Sequence, residues 1–145
     1  MSIIYRNCDL LTTTADYIVH QVNCQGVMGA GLAYQIRQQY PKLYSIYKSY
    51  CTLYAPTDLL GRVFIHDNVI NVFGQLTYGR DKSIVYTDYT ALRNAFTRIH
   101  CYLPTNQSLA FPYGFGCGLA NGDWNTVLAL ITDCFPTRTV YICKK

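Results

Sequence analysis

The chain has 145 residues and a mass of 16.5 kDa, is 50% hydrophobic and 14% charged, and carries a formal charge of +4. That length buries one sizeable core, and so modest and scattered a charge suits an anionic small molecule better than a polyanion. All eight acids are Asp, and the lack of any Glu excludes HExxH metalloproteases, Glu-based glycosidase pairs and EF-hands closed by Glu.

Residues 2–11 and 17–23 are rich in Ile, Val and Tyr, and the second stretch, Tyr-Ile-Val-His-Gln-Val-Asn, predicts a buried strand. Gly26-Val-Met-Gly-Ala-Gly31 follows at once, and Leu32, Ile36 and Tyr40 then share a helical face until Pro41 interrupts it. Pro41 suits the first turn of a second helix over 42–51, where Leu43, Ile46, Tyr47 and Tyr50 recur at three and four. Residues 62–66 and 69–73 predict a hairpin around Asp67-Asn68, a pair that accepts positive φ. A loop over 74–83 leads to a helix over 87–102, with Thr87 or Asp88 as its cap. A strand at 109–111 runs into Pro112-Tyr-Gly-Phe-Gly-Cys-Gly118, Asp123 opens a helix over 124–135, and 138–143 is the last strand. This alternation predicts a single α/β domain over 1–145 with a mostly parallel sheet covered on both faces. Ligands of such sheets bind beyond the carboxyl ends of the strands, where both glycine loops fall.

Glycines let backbone N–H groups approach an anion, and a helix starting just after them adds the positive end of its dipole. The first loop is neither GxxxxGK[ST] nor GxGxxG, which sets aside P-loop and Rossmann readings. Two glycine loops, each between a strand and a helix, favour a pyrophosphate ligand. The seven cysteines form no CxxC pair or dense framework, so a reduced, cytoplasmic chain is expected, with no metal. The CxxxxxR phosphatase signature is absent, because Asp123 stands six residues after Cys117. No apolar run reaches the roughly 18 to 20 residues of a membrane span and no signal-peptide pattern opens the chain, so no membrane partner is expected.

The stretch Asp16-Tyr-Ile-Val-His-Gln-Val-Asn-Cys-Gln-Gly-Val-Met-Gly-Ala-Gly-Leu-Ala33, with Pro112-Tyr-Gly-Phe-Gly-Cys-Gly-Leu119 and Gly122-Asp-Trp124, resembles the macro domain. The resemblance covers nearly the whole chain; Asp9-Leu10 falls where the family has its Gly-Asp-Ile element, with Cys8 in place of the glycine. It implies a three-layer α/β/α macro-domain fold with a mixed, mostly parallel central sheet. The implied partner is ADP-ribose or a derivative, free or on ADP-ribosylated macromolecules, and no cofactor is called for. Residue by residue, the resemblance implies that Asp9 accepts from the adenine amino group beside the Leu10 backbone, and that Asn23 lies near the distal ribose. Gly29, Ala30, Gly31 and Leu32 would wrap the distal ribose and diphosphate. Pro112, Gly114, Phe115, Gly116, Cys117 and Gly118 would form the second phosphate loop, and Tyr141 an adenine-facing aromatic.

The family contains both readers of ADP-ribose and hydrolases. The resemblance places this chain with hydrolases of ADP-ribose derivatives, an ADP-ribose 1''-phosphate phosphatase first. Enzymes that remove ADP-ribosyl groups or deacetylate O-acetyl-ADP-ribose, and non-catalytic readers or sponges, stay open. One ester-hydrolase branch uses a Lys at the end of the strand corresponding to 69–73 and an Asp after Gly-Cys-Gly-Leu; here no Lys precedes Lys82, and Ala120 takes the second position, which argues against a lysyl-ribose mechanism. The remaining proton-handling candidates are His20 and Asp123. Asn23 and His20 are expected to orient water or substrate, Asp123 to act as base or positioner, and the loop amides to stabilise the anion. Against this, strand alternation puts His20 and Val22 on one face and Asn23 on the other. His20 equally suits a hydrogen-bonded core position, and Asp123 a helix N-cap. The tyrosines of 34–54 recur at helical spacing, which reads as packing and not as a nucleic-acid platform. Tyr78-Gly79-Arg80-Asp81 is either an exposed turn or a loop over the distal ribose.

Overall fold

A computed structural model describes residues 2–145. In chain order the elements are β1 (Ser2–Asn7), β2 (Tyr17–Asn23), α1 (Gly31–Gln39), α2 (Pro41–Leu53), α3 (Pro56–Leu59), β3 (Val63–His66), β4 (Val69–Gln75), α4 (Tyr89–Tyr102), β5 (Leu109–Pro112), α5 (Trp124–Cys134) and β6 (Thr139–Lys144). The strands form one sheet in the order β1-β6-β5-β2-β4-β3. All neighbours are parallel except β3, which turns back on β4 through Asp67 at φ 50. The chain therefore has the expected mixed, mostly parallel sheet.

Strand β2 shows why the sheet is covered on both sides. Val19 enters an apolar cluster with α4 and α5, built around Phe96, Phe111, Phe115 and Ile131. Ile18 and Val22 enter a second cluster with α1, α2 and α3, built around Met28, Ile36, Leu43, Tyr47 and Phe73. A strand buried on both faces carries apolar residues at odd and even positions alike, and three layers result.

Two local outcomes differ from the sequence expectation. The first strand stops at Asn7 instead of reaching residue 11, because Asp9 Oδ1 accepts from the Leu11 amide at 3.0 Å and caps a 3-10 turn, Leu10–Thr12. A carboxylate two residues away offers that amide a nearer partner than the ladder. The short α3 has a single turn, too little for periodicity to reveal.

Arg138, at the entry to β6, is fully buried and has no carboxylate partner among the described residues. Its guanidinium donates to the carbonyls of Pro104 at 2.6 Å, Gln107 at 2.8 Å and Leu103 at 2.9 Å, and weakly to His100 at 3.5 Å. These carbonyls end α4 and begin the loop after it, where backbone donors are few: the Pro104 carbonyl also accepts from the Gln107 amide at 3.1 Å. Arg138→Met should fill similar space, remove the guanidinium from those carbonyls and cost about 3 kcal/mol in urea denaturation. Arg138→Lys should recover only part, since one ammonium cannot span the fork. A loss below about 1 kcal/mol for Arg138→Met would show that the carbonyls do not depend on it.

Candidate functional site

One cavity of about 640 Å³ opens beyond the carboxyl ends of β2, β4 and β5. Its walls are the end of β2 from His20 to Asn23, Val27, residues 29–33, Gln75 with 78–80, and residues 112–116 and 118–120.

The first glycine loop is anchored by one side chain, Met28, which is buried in the cluster under α1 and α2. Gly31 takes φ +60, where a side chain is strained although nothing lies within 4 Å of an added Cβ. Helix α1 starts there without a side-chain cap; its first bond runs from the Tyr34 amide to the Ala30 carbonyl at 3.3 Å. The amides of Gly31, Leu32 and Ala33 are left unpaired at the positive end of the helix, and all three residues line the cavity.

The second loop is anchored in the opposite cluster by Phe115, whose ring sits 5.5 Å from Phe111 and 5.8 Å from Phe96. Within it, the Phe115 amide donates to the Pro112 carbonyl at 3.0 Å and the Cys117 amide to the Gly114 carbonyl at 2.8 Å. Those two amides are consumed by the turn, which corrects their expected part in anion binding. The amides of Gly114, Gly116 and Gly118 have no acceptor among the described residues. Gly116 is fixed through its carbonyl, which accepts from the Thr87 hydroxyl at 2.6 Å and the Gly122 amide at 2.9 Å.

Asn23 lies where the pairing of β2 with β4 shifts register. The shift overturns strict alternation: the Asn23 side chain turns to the α2 side and its Oδ1 accepts from the Tyr47 hydroxyl at 2.7 Å and the Gln25 amide at 2.9 Å. Its Nδ2 donates to the Val27 carbonyl at 2.8 Å, so one N–H remains for a ligand.

His20 also lines the cavity, and it is 1% exposed. Its Nε2 lies 2.5 Å from Asn71 Oδ1, while Asn71 Nδ2 points at the carbonyls of Phe64 at 3.3 Å and Val69 at 3.4 Å. That orientation makes Nε2 the donor and leaves Nδ1 a bare acceptor with no partner among the described residues. Burial pulls the His20 pKa down to about 4, against a smaller opposite pull from Asn71. At neutral pH the ring accepts hydrogen bonds and carries no charge.

Other expected residues lie elsewhere. Asp123 is outside the cavity lining; its carboxylate caps α5, accepting from the Thr126 amide at 3.0 Å and hydroxyl at 2.9 Å, so the expected base is occupied as a cap. The Cys117 side chain turns away, its Sγ 3.2 Å from the Phe115 carbonyl, and burial with the nearby Asp123 charge pushes its thiol up to about 11. Asp9 and Leu10 stand beyond β1, outside the cavity. The Asp9 carboxyl is held below its usual range by the Leu11 amide and by Lys145, whose Nζ is 3.2 Å away. The Tyr141 ring lies under the Arg6 guanidinium, 5.0 Å from it, in a smaller depression at the β1 edge and not in the main cavity.

Sequence reasoning assigned no site role to Gln21 or Gln75, while the 78–81 stretch, read as either an exposed turn or a loop over the distal ribose, does line the cavity through Tyr78, Gly79 and Arg80. Gln21 Nε2 donates to Gln75 Oε1 at 2.8 Å and to the Thr87 hydroxyl at 3.0 Å, tying the ends of β2 and β4 to the second loop. A polar residue inside an apolar strand was the available signal for Gln21. Tyr78 and Arg80 complete the wall, and Arg80 is the one lining residue with a formal charge at neutral pH. Among the described residues the cavity lining holds neither a carboxylate nor an ammonium group. Among the described residues no cluster of His, Cys and Asp is placed to hold a metal, and no helix is long and apolar enough to cross a membrane.

No family model matches the chain. A DNA ADP-ribosyl glycohydrolase of Mycobacterium tuberculosis is 37% identical over 65 residues, 45% of this chain and 18% of that protein. An ADP-ribose 1''-phosphate phosphatase of Saccharomyces cerevisiae is 32% identical over 89 residues, 54% of this chain and 49% of that protein. The chain thus spans less than half the length of these curated relatives. Among solved structures, the macrodomain of Mycobacterium tuberculosis DarG superposes with a TM-score of 0.76 at 24% identity, covering 98% of this chain and 97% of that one. Thermosipho africanus DarTG in complex with ADP-ribose gives 0.71 at 20% identity, over 94% of this chain and 40% of that one. Identities this low carry the fold and no more.

The buried imidazole has a consequence for acid stability. Between pH 6.5 and about 4 the unfolded chain takes up a proton at His20 that the folded chain refuses, so stability falls as pH falls through that window. The loss should approach about 3 kcal/mol at pH 4 and be absent above pH 7. Urea midpoints across pH 4 to 7 should show that slope flattened in His20→Gln; an unchanged slope would place the acid sensitivity in another group.

Proposed function

The chain is a macrodomain in fold, and on that premise we propose that it binds ADP-ribose and hydrolyses the group carried on its distal ribose, with ADP-ribose 1''-phosphate as the first substrate. What carries the reading is the pair of unpaired amide rows, Gly31 to Ala33 and Gly114, Gly116 and Gly118, that border one cavity free of carboxylates. A diphosphate is an acceptor-rich dianion, and preorganised amides hold it without a desolvated side-chain charge. The names of the two curated relatives, both acting on ADP-ribose derivatives, support the same ligand, as does the ADP-ribose held by the Thermosipho protein.

In this reading the distal ribose lies toward Asn23 and His20, and the adenosine runs along the strand ends past Tyr113 toward Asp9. The His20 Nδ1 lone pair and the free Asn23 N–H orient a water or ribose hydroxyl, and the loop amides stabilise charge developing at phosphorus or at an ester carbonyl. A lysyl intermediate has no support, because Gln75 occupies the end of β4. The same inventory favours a second reading, a non-catalytic reader or sponge, because the cavity offers no side-chain base that titrates near neutral pH.

Calorimetry with ADP-ribose should give saturable one-to-one binding. Gly31→Glu should abolish it with an unchanged far-ultraviolet spectrum, since the substitution strains φ +60 and sets a carboxylate among the anion-binding amides. Asp9→Ala should weaken ADP-ribose binding about tenfold while sparing ribose 5-phosphate; equal affinities would remove Asp9 from adenine recognition. Phosphate release from ADP-ribose 1''-phosphate, with O-acetyl-ADP-ribose in parallel, separates the two readings. Tight binding without turnover of either leaves the reader.

A further inference from the structure

Arg80 is exposed at the cavity mouth, in the loop between β4 and α4. The loop is not free to carry it elsewhere. Gly79 packs so closely on Tyr86 that an added Cβ would lie 2.2 Å from the phenol oxygen. Asn121, at φ 60 beyond the second glycine loop, donates to the carbonyls of Asp81 at 3.1 Å and Ile84 at 2.8 Å. The Tyr86 amide closes the tether on the Ala120 carbonyl at 2.8 Å.

The Arg80 guanidinium is also left available. Its sequence neighbour Asp81 is turned inward on Ser83, accepting from the amide at 2.9 Å and the hydroxyl at 2.6 Å. Among the described residues the Arg80 side chain takes part in no ion pair, hydrogen bond or ring contact. A guanidinium beside a diphosphate site already served by six backbone amides is surplus to that diphosphate. It stands on the β4 side of the cavity with Gln75 and Tyr78, next to the end of β2 that carries His20 and Asn23.

We infer that Arg80 is a specificity-determining residue that binds a phosphate group carried on the distal ribose, so that the site selects phosphorylated over neutral substituents. The inference rests on the ADP-ribose reading above and narrows its substrate class. The planar fork of Arg suits two phosphate oxygens at once, and a charge-assisted contact of this kind raises affinity about tenfold to a hundredfold. Neutral esters such as an acetyl group gain nothing from it.

The test is competition binding against ADP-ribose with two ligands. One is the 1''-phosphonate analogue, in which a methylene replaces the bridging oxygen so that turnover cannot intervene; the other is O-acetyl-ADP-ribose. The wild-type chain should prefer the phosphonate to ADP-ribose at least tenfold and show no such preference for the acetyl ester. In Arg80→Gln the ratio of the phosphonate and ADP-ribose affinities should fall toward one; Arg80→Lys should keep part of it; and Lys42→Gln, a cation on α2 outside the cavity, should leave it intact. A wild type without the preference, or an Arg80→Gln chain that retains it, overturns the inference while ADP-ribose binding stands. Failure of the wild type to bind ADP-ribose at all overturns the underlying reading and this inference with it.

Discussion

The hydrogen bond between the Tyr47 hydroxyl and Asn23 joins the core under α2 to the first glycine loop. Tyr47 is fully buried on α2, and its hydroxyl lies 2.6 Å from the Asn23 carbonyl and 2.7 Å from its side-chain oxygen. A phenol can be buried so deeply only if its O–H finds an acceptor, and Asn23 provides two. The same Asn23 amide holds the Gln25 amide and the Val27 carbonyl, so the helix that closes one face of the sheet also sets the first glycine loop. Core packing and the first glycine loop are thereby one structure; loosening α2 would displace the loop at which α1 begins.

The two loops reach the cavity from opposite faces by the same device. Each embeds one large apolar side chain between glycines, Met28 below the sheet and Phe115 above it, and leaves its backbone free to face the ligand. In the proposed reading, recognition rests on dipoles fixed before any ligand arrives, which avoids the cost of burying an ionised side chain. His20 follows the same economy. Asn71 fixes its tautomer and burial keeps it neutral, so it presents a lone pair where a more exposed imidazole would present a switchable charge. Against this uncharged background Arg80 is the one lining residue with a formal charge, at the cavity mouth.

Much of the fold was legible in the sequence. Ile, Val and Tyr enrichment marked β2 as a buried strand, the Asp67-Asn68 turn pair marked the β3–β4 hairpin, periodicity marked α1, α2 and α4, Asp123 marked the start of α5, and the paired glycine loops located the cavity. Side-chain roles were less legible where one residue type serves two ends. An Asp before a helix reads as a cap or a base with equal ease, and Asp123 proved to be a cap since its oxygens meet Thr126 first. Asp9 likewise turns a 3-10 helix and pairs with Lys145 outside the cavity. Strand alternation placed Asn23 on the wrong face, because a register shift is invisible to a period of two.

What the sequence determined by itself is local: which segments are strands, which are helices, and where glycine permits a backbone that other residues resist. Those properties depend on neighbours within a few positions, and composition and spacing record them. Only the tertiary structure decided which amides stay unpaired, that Gln21, Gln75 and Thr87 brace the second loop, and that Arg80 comes to the cavity without a partner. Each of these depends on groups brought together from distant parts of the chain, where hydrogen-bond geometry, and not residue type, settles which groups remain available to a ligand.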